Sequence, residues 1–330
     1  MTASRVSLTV TLGLTLLAAP LAAEGQQRPV PRIGILTGES SSDLLPALGQ
    51  FRQELRKLGW IDGQTITVLE PRSAEGRNER LSGLAAEVLK ADPRIIVVFG
   101  APATHVLQQA TATIPILMWS VGDPVEYGFV ASLAKPGGNV TGTSTLVNET
   151  GGKLVELVKE AVPAVTSLAV FINPGNQGAA PYVRQVRGVA EALRLKVQVL
   201  EVRSPDDFEG AFAAIARERT EAIILPPEPL IRSQRKRVAE FAAQRRLPLV
   251  LHGPPVLLEG GGLLTYGSKL GENPRIVASY VDRILKGARP ADLPVQQPTE
   301  FVLGANLKTA KTLGLTIPPS VLGRADEVIQ

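Results

Sequence analysis

The chain has 330 residues, a length that suggests about two domains at roughly 100–200 residues each. Apolar residues make up 44% of it and aromatics only 4%, so a buried core must be built from Leu, Ile, Val and Ala. The net charge of +4 is too small for a basic footprint, and the basic run at 232–237 (RSQRKR) has the spacing of a solvated helix face, so no nucleic-acid partner is expected.

The chain opens on Arg5 and an apolar run at 6–19, followed by small residues. Ala23-Glu24-Gly25 has the small-x-small pattern of a cleavage site. Residues 1–25 therefore read as a signal peptide removed before Gln26. The run is too short and too Thr-rich for a membrane span of about 20 apolar residues. No cysteine is present, which excludes disulfides, thiol catalysis, cysteine metal sites and the lipid anchor of a bacterial lipoprotein. The expected product is a free monomer in the periplasm of a bacterium with an outer membrane.

From residue 32 onward, strand patterns alternate with helix patterns. Continuous branched runs at 32–37, 94–99 and 114–119 read as buried strands, and 65–69 as a shorter one. Between them, 44–58, 78–90 and 103–110 have helical periodicity, and a further helix is expected at 125–133, stopped by Pro136-Gly137-Gly138. A second series follows, with helices at 153–161, 181–193, 206–217, 231–245 and 274–285. Its strands fall at 167–172, 196–202, 222–225, 249–251 and 263–266. This alternation predicts α/β architecture: two doubly wound, parallel-sheet lobes in tandem.

Ligands bind such sheets at the carboxyl ends of the strands. The loops there are small and polar: GESSS at 38–42, GAPAT at 100–104, VGDP at 121–124 and NPGN at 173–176. Hydroxyls and free N–H groups at helix starts suit a carboxylate, although the same residue types also serve as ordinary helix caps.

Catalytic patterns are missing. The two histidines, His105 and His252, fall in different series and lack metal-ligand spacing. There is no G-x-S-x-G elbow and no G-x-G-x-x-G after a strand. Gly151-Gly152-Lys153 lacks the earlier glycine of a phosphate loop and is followed by Leu154, where a hydroxyl would hold magnesium. The carboxylates Glu39, Asp43, Asp123 and Glu228 belong to no recognised acid–base motif. Neither a catalytic residue nor a cofactor nor a metal is expected.

The run DPVEYGFVASLAKPGGNVTG at 123–142 resembles the signature of the ABC-transporter substrate-binding family that includes tryptophan-binding receptors. RIGIL at 32–36, GGGLLTYG at 260–267, ILKGARPADLPV at 284–295 and NLKTAKTLGLTIP at 306–318 resemble further blocks of it, in order and over nearly the whole chain. The resemblance implies a type I periplasmic-binding fold whose two lobes are joined by a hinge and close on a ligand. The N-terminal lobe would cover 26–147, with a return segment at about 266–295. The C-terminal lobe would cover 148–265, and 296–330 would form a further crossover. Carried over by position, the first-lobe contacts would be Ser40, Ser41, Ser42, Pro102, Ala103, Thr104 and Asp123. Those of the second lobe would be Asn173, Asn176, Pro227, Glu228 and His252, with Tyr266 near the hinge. The implied role is capture of a small solute, such as an amino acid or aromatic acid, for an ABC permease in the inner membrane. The loops hold few aromatics, which points away from tryptophan in particular. A sensory protein presenting its ligand to a membrane receptor or kinase would have the same fold and site.

Overall fold

The computed structural model describes residues 29–269 and 272–330, so the expected signal peptide lies outside the described residues. The first lobe contains β1 (Arg32–Thr37), α1 (Ser41–Lys57), β2 (Thr67–Val68), β3 (Arg72–Ser73), α2 (Leu81–Lys90), β4 (Ile95–Phe99), α3 (Ala101–Ala110), β5 (Ile116–Val121) and β6 (Val140–Ser144). Its sheet runs β2-β1-β4-β5-β6, all parallel, with β3 pairing the end of β1. Every residue of β4 is buried, as expected for a strand covered by helices on both faces. That double burial is why it reads as an unbroken apolar run.

The second lobe begins with α4 (Val147–Ala161), β7 (Ser167–Ile172), α5 (Ala179–Ala192), β8 (Lys196–Glu201), α6 (Phe208–Glu218) and β9 (Ala222–Leu225). It continues with α7 (Pro229–Ser233), α8 (Arg235–Arg245), β10 (Leu249–His252) and β11 (Leu264–Ser268). The chain then returns to the first lobe as α9 (Glu272–Leu285), where Val277, Tyr280 and Val281 pack into the same core as Leu48 and Phe51 of α1. It crosses back to the second lobe as β12 (Phe301–Asn306), α10 (Leu307–Leu313), α11 (Pro319–Leu322) and β13 (Glu327–Ile329). The second sheet runs β13-β12-β11-β10-β9-β7-β8, parallel except where β12 lies antiparallel to β11.

Two expected helices differ from this arrangement, and one strand was not anticipated. The stretch 125–133 is not helical: Asp123 Oδ1 accepts hydrogen bonds from the N–H groups of Val125 and Glu126 (3.1 Å each) and closes a tight turn, and Gly128 then takes φ 72°. The helix expected at 231–245 is two helices, because the chain turns at Gln234 between α7 and α8. The strand β6 is polar in sequence (VTGTS) yet wholly buried, and its Thr141 hydroxyl donates to Leu293 O (2.6 Å) in the return segment. Tyr266 sits within β11, stacked on Phe301 of β12 (ring centroids 5.7 Å apart), and the return begins just beyond it, after Ser268.

Candidate functional site

The carboxyl ends of the strands in both sheets face one cavity of about 790 Å³. Its first-lobe wall is aromatic. Phe99 ends β4 and Trp119 lies near the end of β5. Their rings stack with centroids 4.7 Å apart, and Phe51 of α1 meets Trp119 edge-on at 5.6 Å. Leu44 and Ala47 of α1 extend this surface. The geometry suits a planar apolar group, since offset and edge-on ring contacts contribute about 0.5–1.5 kcal/mol beyond area burial.

Ser120 follows Trp119 in the left-handed region (φ 56°), where the pairing of β5 with β6 shifts register. This backbone is costly for a residue with a side chain. Two bonds hold it: Ser120 N donates to Thr143 Oγ1 (3.0 Å), and Asn273 Nδ2 donates to Ser120 Oγ (2.6 Å). Ser120 and Asn273 both line the cavity, so the return segment helps to shape the wall that Trp119 forms. Tyr127, delivered by the Asp123 turn, also lines the cavity. Burial pushes its phenol pKa up to about 12, so it remains a neutral donor.

The second-lobe wall adds buried polar groups. Glu228 caps α7: its Oε2 accepts from Ile231 N (3.0 Å) and its Oε1 from Asn173 Nδ2 (3.2 Å). Burial outweighs these bonds and raises the carboxyl pKa to about 7. Burial, with Arg232 nearby, lowers the His252 pKa to about 3, so the imidazole is neutral. The Thr150 hydroxyl donates to Leu146 O (2.7 Å) and lies 3.1 Å from His252 Nδ1. His252 Nε2 lies 3.4 Å from the same hydroxyl, and the neutral ring offers one N–H donor and one nitrogen acceptor. Tyr182 adds a buried hydroxyl that has no protein partner, with its pKa raised by burial.

Of the residues proposed from sequence, Ser42, Asn173, Asn176, Pro227, Glu228 and His252 line the cavity together. The others do not. Ser40 precedes α1 with its hydroxyl 3.0 Å from that of Ser42, and Ser41 N donates to Glu75 Oε1 (3.0 Å). Pro102, Ala103 and Thr104 are buried in α3, where the Thr104 hydroxyl donates to Gly100 O (2.9 Å). Asp123 holds its turn, and Tyr266 packs within the second sheet. Sequence reasoning passed over Phe99, Trp119, Tyr127 and Tyr182. The first two close predicted strands, and a search confined to loops skips strand ends.

Residues 35–329 match the family described as ABC transporter substrate binding protein. The chain belongs to this family. It is 26% identical over 268 residues to the tyrosine-binding protein of Clostridioides difficile, covering 80% of this chain and 75% of that one. It superimposes with a TM-score of 0.82 on the ABC domain in complex with L-Trp from Streptococcus pneumoniae, at 26% identity, covering 91% of this chain and 99% of that one. A ligand-free, open substrate binding protein with adhesive properties from Clostridium difficile shares the fold with a TM-score of 0.63 (24% identity, 91% and 100% covered). This substrate-binding protein thus has the α/β architecture of the type I periplasmic-binding fold. Among the described residues, no helix is long and apolar enough to cross a membrane.

Proposed function

We propose that this substrate-binding protein works in the periplasm and captures a small aromatic solute with a polar, carboxylate-bearing end, an aromatic amino acid or aromatic acid, for an inner-membrane ABC permease. The observation that carries this reading is the two-sided cavity, with stacked Phe99 and Trp119 on one wall and Asn173, Glu228 and His252 on the other. The aromatic face would take the ring, and the buried donors and acceptors opposite would take the polar end. L-Trp and tyrosine, named for two relatives, are solutes of this kind.

Capture requires the lobes to close, and contacts already span the cleft. Gln177 Nε2 lies 2.8 Å from His105 Nδ1, Arg232 pairs with Glu39 at 3.4 Å, and Arg184 pairs with Glu126. In shape alone, the chain overlaps better with the L-Trp complex than with the ligand-free, open structure. Closure stabilised by the solute is the signal a permease would read, and no turnover is needed.

A thermal-shift screen of the chain from Gln26 onward tests the proposal, using aromatic amino acids, aromatic acids, aliphatic amino acids, sugars and nucleosides. A solute at about 100 times its Kd adds roughly 2.7 kcal/mol. The expected result is a saturable shift with aromatic amino acids or acids and no consumption of the compound. A shift confined to sugars or nucleosides, or conversion of the solute, would contradict the proposal.

A further inference from the structure

Helix α7 of the second lobe reaches across the cleft and seats against backbone of the first lobe. The seat consists of three glycines, each just past a different strand: Gly38 after β1, Gly76 after β3 and Gly100 after β4. A Cβ placed on Gly38 would lie 3.2 Å from Pro229 Cβ and 3.3 Å from Pro229 Cγ. One on Gly100 would lie 3.3 Å from Pro229 Cγ, and one on Gly76 would overlap Ser233 Oγ at 2.7 Å. The Glu39–Arg232 ion pair borders the same seat.

Two of these glycines also answer a local backbone demand, with φ 78° at Gly76 and 83° at Gly100. Gly38 has no positive φ, so its missing side chain matters for space alone: Pro229 and the Asn78 amide oxygen (3.4 Å) fill the place where a Cβ would stand. Gly38, Gly76 and Ser233 lie outside the cavity wall. A change at any of them therefore acts on the docking of α7 without replacing a cavity-lining side chain.

We infer that Gly38, Gly76 and Gly100 form a socket for Pro229 and Ser233, and that this socket, which borders the cavity at Gly100 and Pro229, sets how readily the lobes close. The inference rests on the reading that the lobes close around a solute. Apparent affinity scales with the fraction of the protein in the competent state, so the socket residues act as positioning residues for binding.

The chain has no cysteine, which permits a clean trap. In the Gly38→Cys/Pro229→Cys double variant the two Cβ positions would lie 3.2 Å apart, a few tenths of an ångström inside the roughly 3.5–4.5 Å of a disulfide, so a small outward shift lets the bond form. Under mild oxidation without solute, the cross-link should form and appear as a mobility change reversed by reductant. Adding Gly76→Ala should slow it about tenfold, because the new Cβ meets Ser233 Oγ. Adding Ser233→Ala as well should bring the rate back to within about threefold of the starting pair. Strain at Gly76 would persist in that last variant, so a purely structural role predicts no recovery. Ser233→Leu in the trap background crowds the seat from the other side without touching a strained glycine, and should slow the cross-link similarly. Failure to cross-link, or slowing that Ser233→Ala does not relieve, overturns the socket. A cross-link that forms and recovers as described, yet is not accelerated by L-tyrosine or L-tryptophan, upholds the socket and contradicts the proposed solute.

Discussion

The two walls of the cavity are built from different materials. The first lobe offers strand-end rings, Phe99 and Trp119, which are continuous with its core through Phe51. The second lobe offers buried hydrogen-bonding groups, in which burial disfavours the charged forms of Glu228 and His252. An apolar wall gains from any ring of suitable size. Buried polar groups penalise a ligand that leaves them unpaired, so discrimination among aromatic solutes should reside in the second lobe.

The largest way to break this comparison is Trp119→Ala. The side chain is only 4% exposed and belongs to the core, so the change should cost about 3–5 kcal/mol of stability and at least about a hundredfold in affinity for an aromatic solute. Thermal melting and calorimetric titration read the two losses, and Trp119→Phe should recover most of both. His252→Phe attacks the opposite wall. It removes both ring nitrogens while roughly keeping the volume, and should weaken binding about tenfold or more while leaving the preference for rings over aliphatic solutes unchanged.

The pH dependence separates the two buried ionisable groups. Glu228 has its pKa raised from 4.5 to about 7, so its contribution to stability is full below pH 4.5 and is lost as pH rises through about 7. His252 has its pKa lowered from 6.5 to about 3, so its contribution is present above pH 6.5 and is lost as pH falls toward 3. Between 4.5 and 6.5 the two slopes oppose each other, and these groups together give a flat stability profile. Glu228→Gln should expose a rise in melting temperature with pH across that window, and His252→Asn a fall.

The smallest effects come from proposed contacts that lie off the cavity. Asp123→Ala removes the acceptor of two turn hydrogen bonds, and should cost about 1 kcal/mol of stability and only a few-fold in affinity, through looser placement of Tyr127. Tyr266→Phe should leave binding within about twofold of the parent, because the ring packs on Phe301 inside the second sheet.

The sequence carried the architecture well where burial leaves a simple pattern. IIVVF in β4 is apolar throughout, and SLAVFI in β7 is apolar after Ser167, because helices cover both faces of the sheet. Where tertiary contacts supply the partners, the pattern fails. The polar run of β6 is buried because its hydroxyls bond across to β5 and the return segment, and nothing local announces that. The helix expected at 125–133 had suitable periodicity, but the Asp123 turn and the left-handed Gly128 prevail. Of the small polar loops, the one at 173–176 brings Asn173 and Asn176 to the cavity, and Glu228, implied by the family resemblance, lies beside them. The same loop chemistry also serves helix starts, which is where Ser40 and Ser41 are engaged. The aromatic wall was hidden because Phe99 and Trp119 read as the last residues of buried strands.

The central claim is that a solute's ring meets Trp119 between the lobes. The chain has two tryptophans, and the other, Trp60, bonds to Asp282 through its Nε1 at 2.9 Å and is absent from the cavity wall. The most direct measurement is the emission of Trp119 in a Trp60→Phe variant during titration with L-tyrosine, L-phenylalanine and a sugar. A saturable change with the aromatic amino acids and none with the sugar is the predicted result. A response to the sugar alone, or no response to an aromatic solute shown by calorimetry to bind, would contradict the claim.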